Sequence, residues 1–256
     1  MSSDGLGAPD PWVRLAALTP ARVALGRVGP ALPTRQVLQL ALAHAKARDA
    51  VHAALDVERI ESALRGLGLV VAAAASAAPS RDAYLRRPDL GRRLSSAGRS
   101  ELAAAAGAAA DVALIVADGL SAAAVEAHVV PVVAALRPHL DRAGLTMAPV
   151  VIATQARVAL GDEIGELLHA RAALILIGER PGLSAPDSLG AYLTYAPRPG
   201  RSDAERNCVS NIRTGGLGYE EAARKLAWLL DEALRGGFSG VALKDDSRRR
   251  TIESRR

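Results

Sequence analysis

The chain has 256 residues, of which half are hydrophobic and 23% charged, and 32 Lys and Arg stand against 27 Asp and Glu for a formal net charge of +5. That composition excludes intrinsic disorder for the bulk of the chain and leaves room for one or two domains with a sizeable core, built from Ala, Val, Leu and Ile because Trp, Tyr and Phe number only 2, 4 and 1. The single cysteine, Cys208, excludes an internal disulfide and cannot by itself build a zinc site, so a reducing cytoplasm is the expected compartment.

Residues 1–33 carry Pro9, Pro11, Pro20, Pro30 and Pro33 and read as irregular. Thr34 is placed to cap a long helix running to about Leu55, with an imperfect apolar stripe of Leu38, Leu42, Ala45, Val51 and Leu55. Asp56 is expected to cap a second helix, Val57–Arg65, which Gly66 and Gly68 end. Leu69–Ala75 reads equally as a strand or a helix, and Arg86–Leu94 is polar and holds Pro88. Residues 1–100 are therefore expected to form a smaller, mostly helical N-terminal part.

The pattern then changes. Asp111–Ala117 is a β-branched run that reads as a strand and ends in Asp118-Gly119-Leu120-Ser121. A helical pattern follows from Ser121 to about Arg142, with Pro131 inside it as a potential kink. Ala148–Ala153 is a second strand, Gly161–Ala170 a helix, Ala172–Ile177 a third strand and Tyr192–Tyr195 a fourth. Tyr219–Leu234 is an amphipathic helix with Ala222, Leu226, Leu229, Leu230 and Ala233 on one side. Short apolar strands alternating with helices predict an α/β domain over residues 101–244, with a mostly parallel sheet flanked by helices. Residues 245–256 hold five Arg against three acids and are expected to be a mobile basic tail.

Several functions are excluded by what is missing. No basic stripe interleaved with aromatics points to nucleic acid. Met1–Gly7 lacks the basic and apolar regions of a secretory signal, and the most apolar stretch, Leu102–Ala117, is interrupted by Asp111 and is shorter than the ~20 residues a membrane span needs. His44, His52, His128, His139 and His169 show no metal-type clustering and are expected at the surface or in packing. Gly66-x-Gly68 and Gly216-x-Gly218 each lack the third glycine of a dinucleotide fingerprint, and neither a P-loop nor a nucleophile elbow occurs. What remains is one edge. If the sheet is parallel, the loops Asp118–Ser121, Thr154–Gly165 and Gly178–Ser184 all lie at the carboxyl ends of strands, where α/β sheets bind ligands.

Several of these segments resemble a known family. Gly178-Glu179-Arg180-Pro181-Gly182-Leu183-Ser184 with Pro186-Asp187-Ser188 is similar to a hallmark of the ethanolamine ammonia-lyase small (light) subunit, as is Asp203-Ala204-Glu205-Arg206-Asn207-Cys208-Val209-Ser210-Asn211-Ile212-Arg213. Thr19–Arg27, Arg81–Arg92 and Ala117–Ser121 match in the same order, so the resemblance runs from about residue 10 to 244. It implies an adenosylcobalamin enzyme that splits ethanolamine into acetaldehyde and ammonia by radical chemistry. It also implies a hetero-oligomer in which a large, barrel-type subunit binds the substrate. The small subunit, inactive alone, joins a helical N-terminal part to a Rossmann-like domain and helps hold the cobalamin at the interface.

By the same resemblance the cofactor contacts are Val158, Glu179 and Cys208, with no catalytic residue in this chain. Taken from the residues alone, Glu179 reads as a surface partner of Arg180 or another arginine, Cys208 as a small buried apolar residue, and Asp118 as a helix cap or loop-ordering group. No histidine has Asp two residues before it, which departs from the Asp-x-His-x-x-Gly pattern of base-off cobalamin enzymes. The cofactor is therefore expected to keep its own benzimidazole ligand unless the large subunit supplies a histidine. Met1–Pro9 is too short and too rich in Gly and Pro for the extra amphipathic helix of microcompartment-targeted members, so cytoplasm is expected over a bacterial microcompartment. The alternative function is a non-catalytic binding or assembly module that kept the fold and lost the cofactor.

Overall fold

The computed structural model describes residues 11–19 and 21–247. The elements run α1 (Pro11–Ala17), α2 (Thr34–His52), α3 (Val57–Gly66), β1 (Val71–Ala75), α4 (Arg81–Arg86), α5 (Ser96–Ala105), β2 (Ala110–Ala117), α6 (Ala122–Arg142), β3 (Val150–Thr154), α7 (Leu160–Leu167), β4 (Ala170–Gly178), β5 (Leu189–Tyr195), β6 (Arg206–Ile212) and α8 (Tyr219–Gly236). The strands form one six-stranded sheet in the order β1-β3-β2-β4-β5-β6. The first four are parallel, and β5 and β6 continue the sheet as antiparallel neighbours. The expected α/β architecture is thus the observed one. Among the described residues no helix is long and apolar enough to cross a membrane.

Alternation along the strands builds two cores. Val112, Leu114 and Val116 of β2 and Leu174 and Leu176 of β4 face Val125, Val129 and Leu136 of α6 and Leu226 and Leu230 of α8. Ala113, Ile115, Ala117, Ile175 and Ile177 face the other way, onto Leu102 of α5 and Leu160 and Ile164 of α7. Because both faces are covered, β2 and β4 read as near-continuous apolar runs, as parallel strands do.

Differences from the expected elements have local causes. α2 ends at His52, and Thr34 is its first residue; the N–H groups of Gln36 and Val37 donate to the Pro33 carbonyl instead of to a Thr34 side chain. Its apolar stripe does not enter the core, since Leu38 and Leu42 stay 64% and 55% exposed and only Ala50 is buried. Asp56 does cap α3, accepting from the Arg59 N–H at 3.0 Å. The ambiguous segment before residue 76 is strand β1, held by pairing Val71–Ala75 with Val150–Thr154, so the sheet takes an edge strand from before residue 100. α6 runs unbroken through Pro131 and Pro138. β5 starts at Leu189 and runs antiparallel. β6 was not expected as a strand, because Asn207, Ser210 and Asn211 interrupt its apolar pattern.

Of the tail, 248–256 lie outside the described residues. Its first residues are docked: Lys225 Nζ donates to Asp245 at 2.7 Å and Ser247 is buried. The predicted consequence of the central packing is direct. Leu114, 1% exposed on β2, should cost about 2–5 kcal/mol when replaced by Ala, measured as a lower denaturant midpoint with unchanged slope.

Candidate cofactor-binding edge

The carboxyl ends of β1 to β4 meet at one edge, and the chain leaves neighbouring strands β2 and β3 toward opposite faces, to α6 and to α7. A crevice opens where such connections diverge. Here it is a cavity of about 380 Å³, lined among others by Leu120, Arg157, Val158, Glu179 and Tyr192. Its wall depends on close backbone contact: the Leu120 N–H donates to the Gly178 carbonyl at 2.9 Å. Gly119 has φ +56°, and a Cβ there would lie 2.2 Å from the Gly178 oxygen, so no other residue fits.

Asp118 holds this edge together. It is 4% exposed and accepts from the backbone N–H groups of Gln155 at 2.9 Å and Ala156 at 3.0 Å, joining the loop after β2 to the loop after β3. Arg81 Nη1 donates to it at 3.2 Å and to the Gly119 carbonyl at 2.9 Å, while Arg81 Nε donates to Val51 O at 2.7 Å. Burial pushes the Asp118 carboxyl up, and the two amides and Arg81 pull it back. Asp118 is thus a loop-ordering group; the helix cap is Ser121, whose hydroxyl accepts from the Ala124 N–H and donates to the Pro186 carbonyl.

Behind the clamp, Tyr84 is fully buried and donates its hydroxyl to Ala156 O at 3.0 Å. The guanidinium groups of Arg81 and Arg157 lie 4.8 and 4.3 Å from its ring centroid, a cation–π arrangement. Burial pushes the phenol up to about 12, against the pull of Arg157.

The sequence-derived site residues fall as follows. Val158 and Glu179, on separate loops, both line the cavity. Glu179 is held by its own strand pair: its N–H donates to Ser188 O at 2.9 Å, and its carboxylate accepts from the Ser188 hydroxyl and from the Asn211 N–H at 3.4 Å. Its observed partners are therefore a hydroxyl and an amide rather than the surface arginine considered from sequence. Gly190 makes room, since a Cβ there would meet Glu179 Oε1 at 2.8 Å. Cys208 is exposed on β6 and stands outside the cavity lining, in register with Tyr192 of β5. Partial burial raises its thiol pKa and Glu179 adds to that, with Tyr192 pulling the other way; the net rise disfavours a nucleophilic thiolate. Tyr192 lines the cavity and stands opposite Cys208 in the β5–β6 ladder; its phenol is raised by burial, then by Cys208, with Glu179 adding to the effect.

Sequence reasoning missed Tyr192, Arg157, Arg81 and Tyr84 as site-forming residues. The signal for Tyr192 was strand alternation, which turns it away from the core-facing Ala191 and Leu193. The other three stood inside motifs already singled out, where their side-chain partners were not legible. The arrangement can accept hydrogen bonds through the Glu179 carboxylate and offer an aromatic and aliphatic wall. Among the described residues no group of three or more His, Cys, Asp or Glu is placed to hold a metal ion.

The family model described as ethanolamine ammonia-lyase light chain (EutC) matches residues 9–244. The chain is 57% identical over 239 residues to a protein of Bradyrhizobium diazoefficiens named ethanolamine ammonia-lyase small subunit, covering 93% of this chain and 91% of that one. A Xanthomonas campestris protein of the same name is 54% identical over 243 residues, covering 94% and 89%. One from Pseudomonas syringae is 51% identical over 254 residues, covering 98% and 88%.

The buried phenol makes a pH prediction. Folded Tyr84 keeps its proton to about pH 12, whereas the unfolded residue loses it near 10. Between those values the unfolded chain binds fewer protons, so stability present below about pH 10 falls as pH rises. A two-unit shift corresponds to about 2–3 kcal/mol. Denaturant unfolding of Tyr84→Phe at pH 9 to 12 should show a shallower loss than the unsubstituted chain.

Proposed function

This chain belongs to the ethanolamine ammonia-lyase light-chain family, and from that premise we propose that it holds adenosylcobalamin against a larger, substrate-binding subunit, the pair converting ethanolamine to acetaldehyde and ammonia in the cytoplasm. The observation that carries the reading is the convergence of Val158 and Glu179, from loops after different strands, on one cavity, with Cys208 opposite cavity-lining Tyr192 across the β5–β6 ladder.

The residues present suit the cofactor. The periphery of a corrin carries amide side chains, which donate and accept hydrogen bonds. Glu179 accepts from an amide N–H, and its carboxylate is already aimed by Ser188 and Asn211. Val158 offers apolar contact and its backbone groups. The Tyr192 ring, half-buried, gives a flat wall. Bound adenosylcobalamin supplies radical chemistry by homolysis of its cobalt–carbon bond. The chain's own part is to bind and orient, because among the described residues this edge presents no paired carboxylates or activated nucleophile.

A second observation supports a partner. The N-terminal arm exposes Trp12, Leu18, Leu38 and Leu42 at 59, 82, 64 and 55%. A partner that covered these side chains would remove apolar area from water. The arm also passes the cofactor edge, where Arg22 Nη2 donates to Leu183 O at 3.3 Å in the loop that follows Glu179. A covering subunit would exclude water from radical intermediates, and it would bury that arm.

The chain purified alone should turn over no ethanolamine and should self-associate; titrating in the large subunit should bring activity that saturates at one-to-one. The assembled complex should show a cobalamin absorption spectrum, and its absence would leave the assembly-module reading. Glu179→Ala should weaken cobalamin binding to the complex about tenfold to a hundredfold, the worth of a charge-assisted hydrogen bond, with circular dichroism unchanged.

A further inference from the structure

Arg157 stands apart from the arginines around it. Arg81 pairs with Asp118, Arg201 with Glu205, and Arg206 with Asp162 and Asp203. Arg157 has no carboxylate partner among the described residues, and its Nε, like Arg81 Nη2 and Arg206 Nε, is buried without a hydrogen-bond partner. A half-buried guanidinium with no countercharge is left for a ligand to neutralise through the part that lines open space. The group is also held in place: it lies 4.3 Å from the Tyr84 ring centroid, and its backbone N–H donates to Gly91 O at 2.8 Å. Gly91 leaves the room, because a Cβ there would lie 2.9 Å from the Tyr84 ring and 3.0 Å from Arg157 Cγ.

Its position names the ligand chemistry. Arg157 and Val158 line both the cavity holding Glu179 and an adjoining cleft of about 480 Å³, walled by Arg92, Arg201, Ser202, Asp203 and Arg206. The first opening sets the Glu179 carboxylate among Arg157 and Arg180, and the second carries four guanidinium groups against the single carboxylate of Asp203. Cobalamin offers two kinds of group: its corrin side chains are neutral amides, and its nucleotide arm carries a single anion, a phosphodiester. The geometry points to Arg157 as the anchor for that phosphodiester, with the arm directed into the arginine-lined cleft. This inference rests on the cobalamin reading above and adds an anionic subsite to it. A planar, fixed guanidinium suits two phosphate oxygens.

The test uses the two-subunit complex and equilibrium binding of two probes: cyanocobalamin, and cobinamide, which has the corrin but lacks the phosphate, ribose and base. Arg157→Gln should weaken cyanocobalamin about tenfold to a hundredfold and leave cobinamide within about twofold. The phosphorus-31 resonance of bound cyanocobalamin should move between the unsubstituted and Arg157→Gln complexes, and Arg157→Lys, which keeps the charge without the fork, should lie between them in affinity. Equal weakening of both probes, or an unmoved phosphorus resonance, would overturn the anchor and leave Arg157 a packing residue. So would inorganic phosphate binding that depends on Arg157 while cyanocobalamin affinity does not. If the unsubstituted complex bound neither corrinoid, the cobalamin reading itself would fall and the anchor with it; failure of the anchor alone leaves Glu179-dependent binding of both probes intact.

Discussion

One buried carboxylate organises the functional edge. Asp118 stands at the end of the central strand, where the chain must turn toward α6, and it satisfies two backbone amides on the loop after β3. Those amides have no strand partner at that point, and leaving them unmet in a buried setting would cost about 1–3 kcal/mol each. Arg81 brings a countercharge and, through Val51 and Gly119, ties the N-terminal part to the same knot. Val158 is positioned four residues beyond β3 because this clamp fixes Gln155 and Ala156. Removal of Asp118 would strand a buried guanidinium and two amides together, so the edge behaves as a unit.

The antiparallel extension completes what the parallel strands begin. A parallel sheet ending at β4 would leave Glu179 on an open loop. Instead, β5 folds back and delivers Ser188 and Tyr192, and β6 delivers the Asn211 amide to the same carboxylate. β6 is itself secured at its start by Arg206, paired with Asp162 of α7, both side chains being 2% exposed. A buried pair of this kind adds little net stability over apolar packing, but it is intolerant of losing one partner. It fixes where the outer strand lies relative to the helix beneath it, and with it the rim carrying Cys208.

The arm before residue 53 follows a different logic. α2 has 19 residues and buries only Ala50. A helix gains most of its stability from packing one face, and this one leaves Leu38 and Leu42 exposed. Its imperfect apolar stripe is left largely uncovered within this chain.

Much of this was legible in one dimension. Apolar runs such as Asp111–Ala117 and Ala172–Ile177 declare buried strands because both sheet faces must be filled, Asp56 and Gly66 mark the ends of a helix through local hydrogen bonding, and the motifs around Glu179 and Cys208 carry the family. Other features depended on partners distant in sequence. The Ala-rich Val71–Ala75 has weak intrinsic strand preference and became a strand because β3 offered it a ladder. β6 hid behind Asn207, Ser210 and Asn211, since an outer strand need not be apolar on both faces. The roles of Asp118 and Arg157 arise from atoms 38 and 73 residues removed, at Ala156 and Tyr84. Local propensity and periodicity act within a few residues and so are written in the sequence, whereas the satisfaction of buried polar groups is settled only when the folded chain brings their partners together.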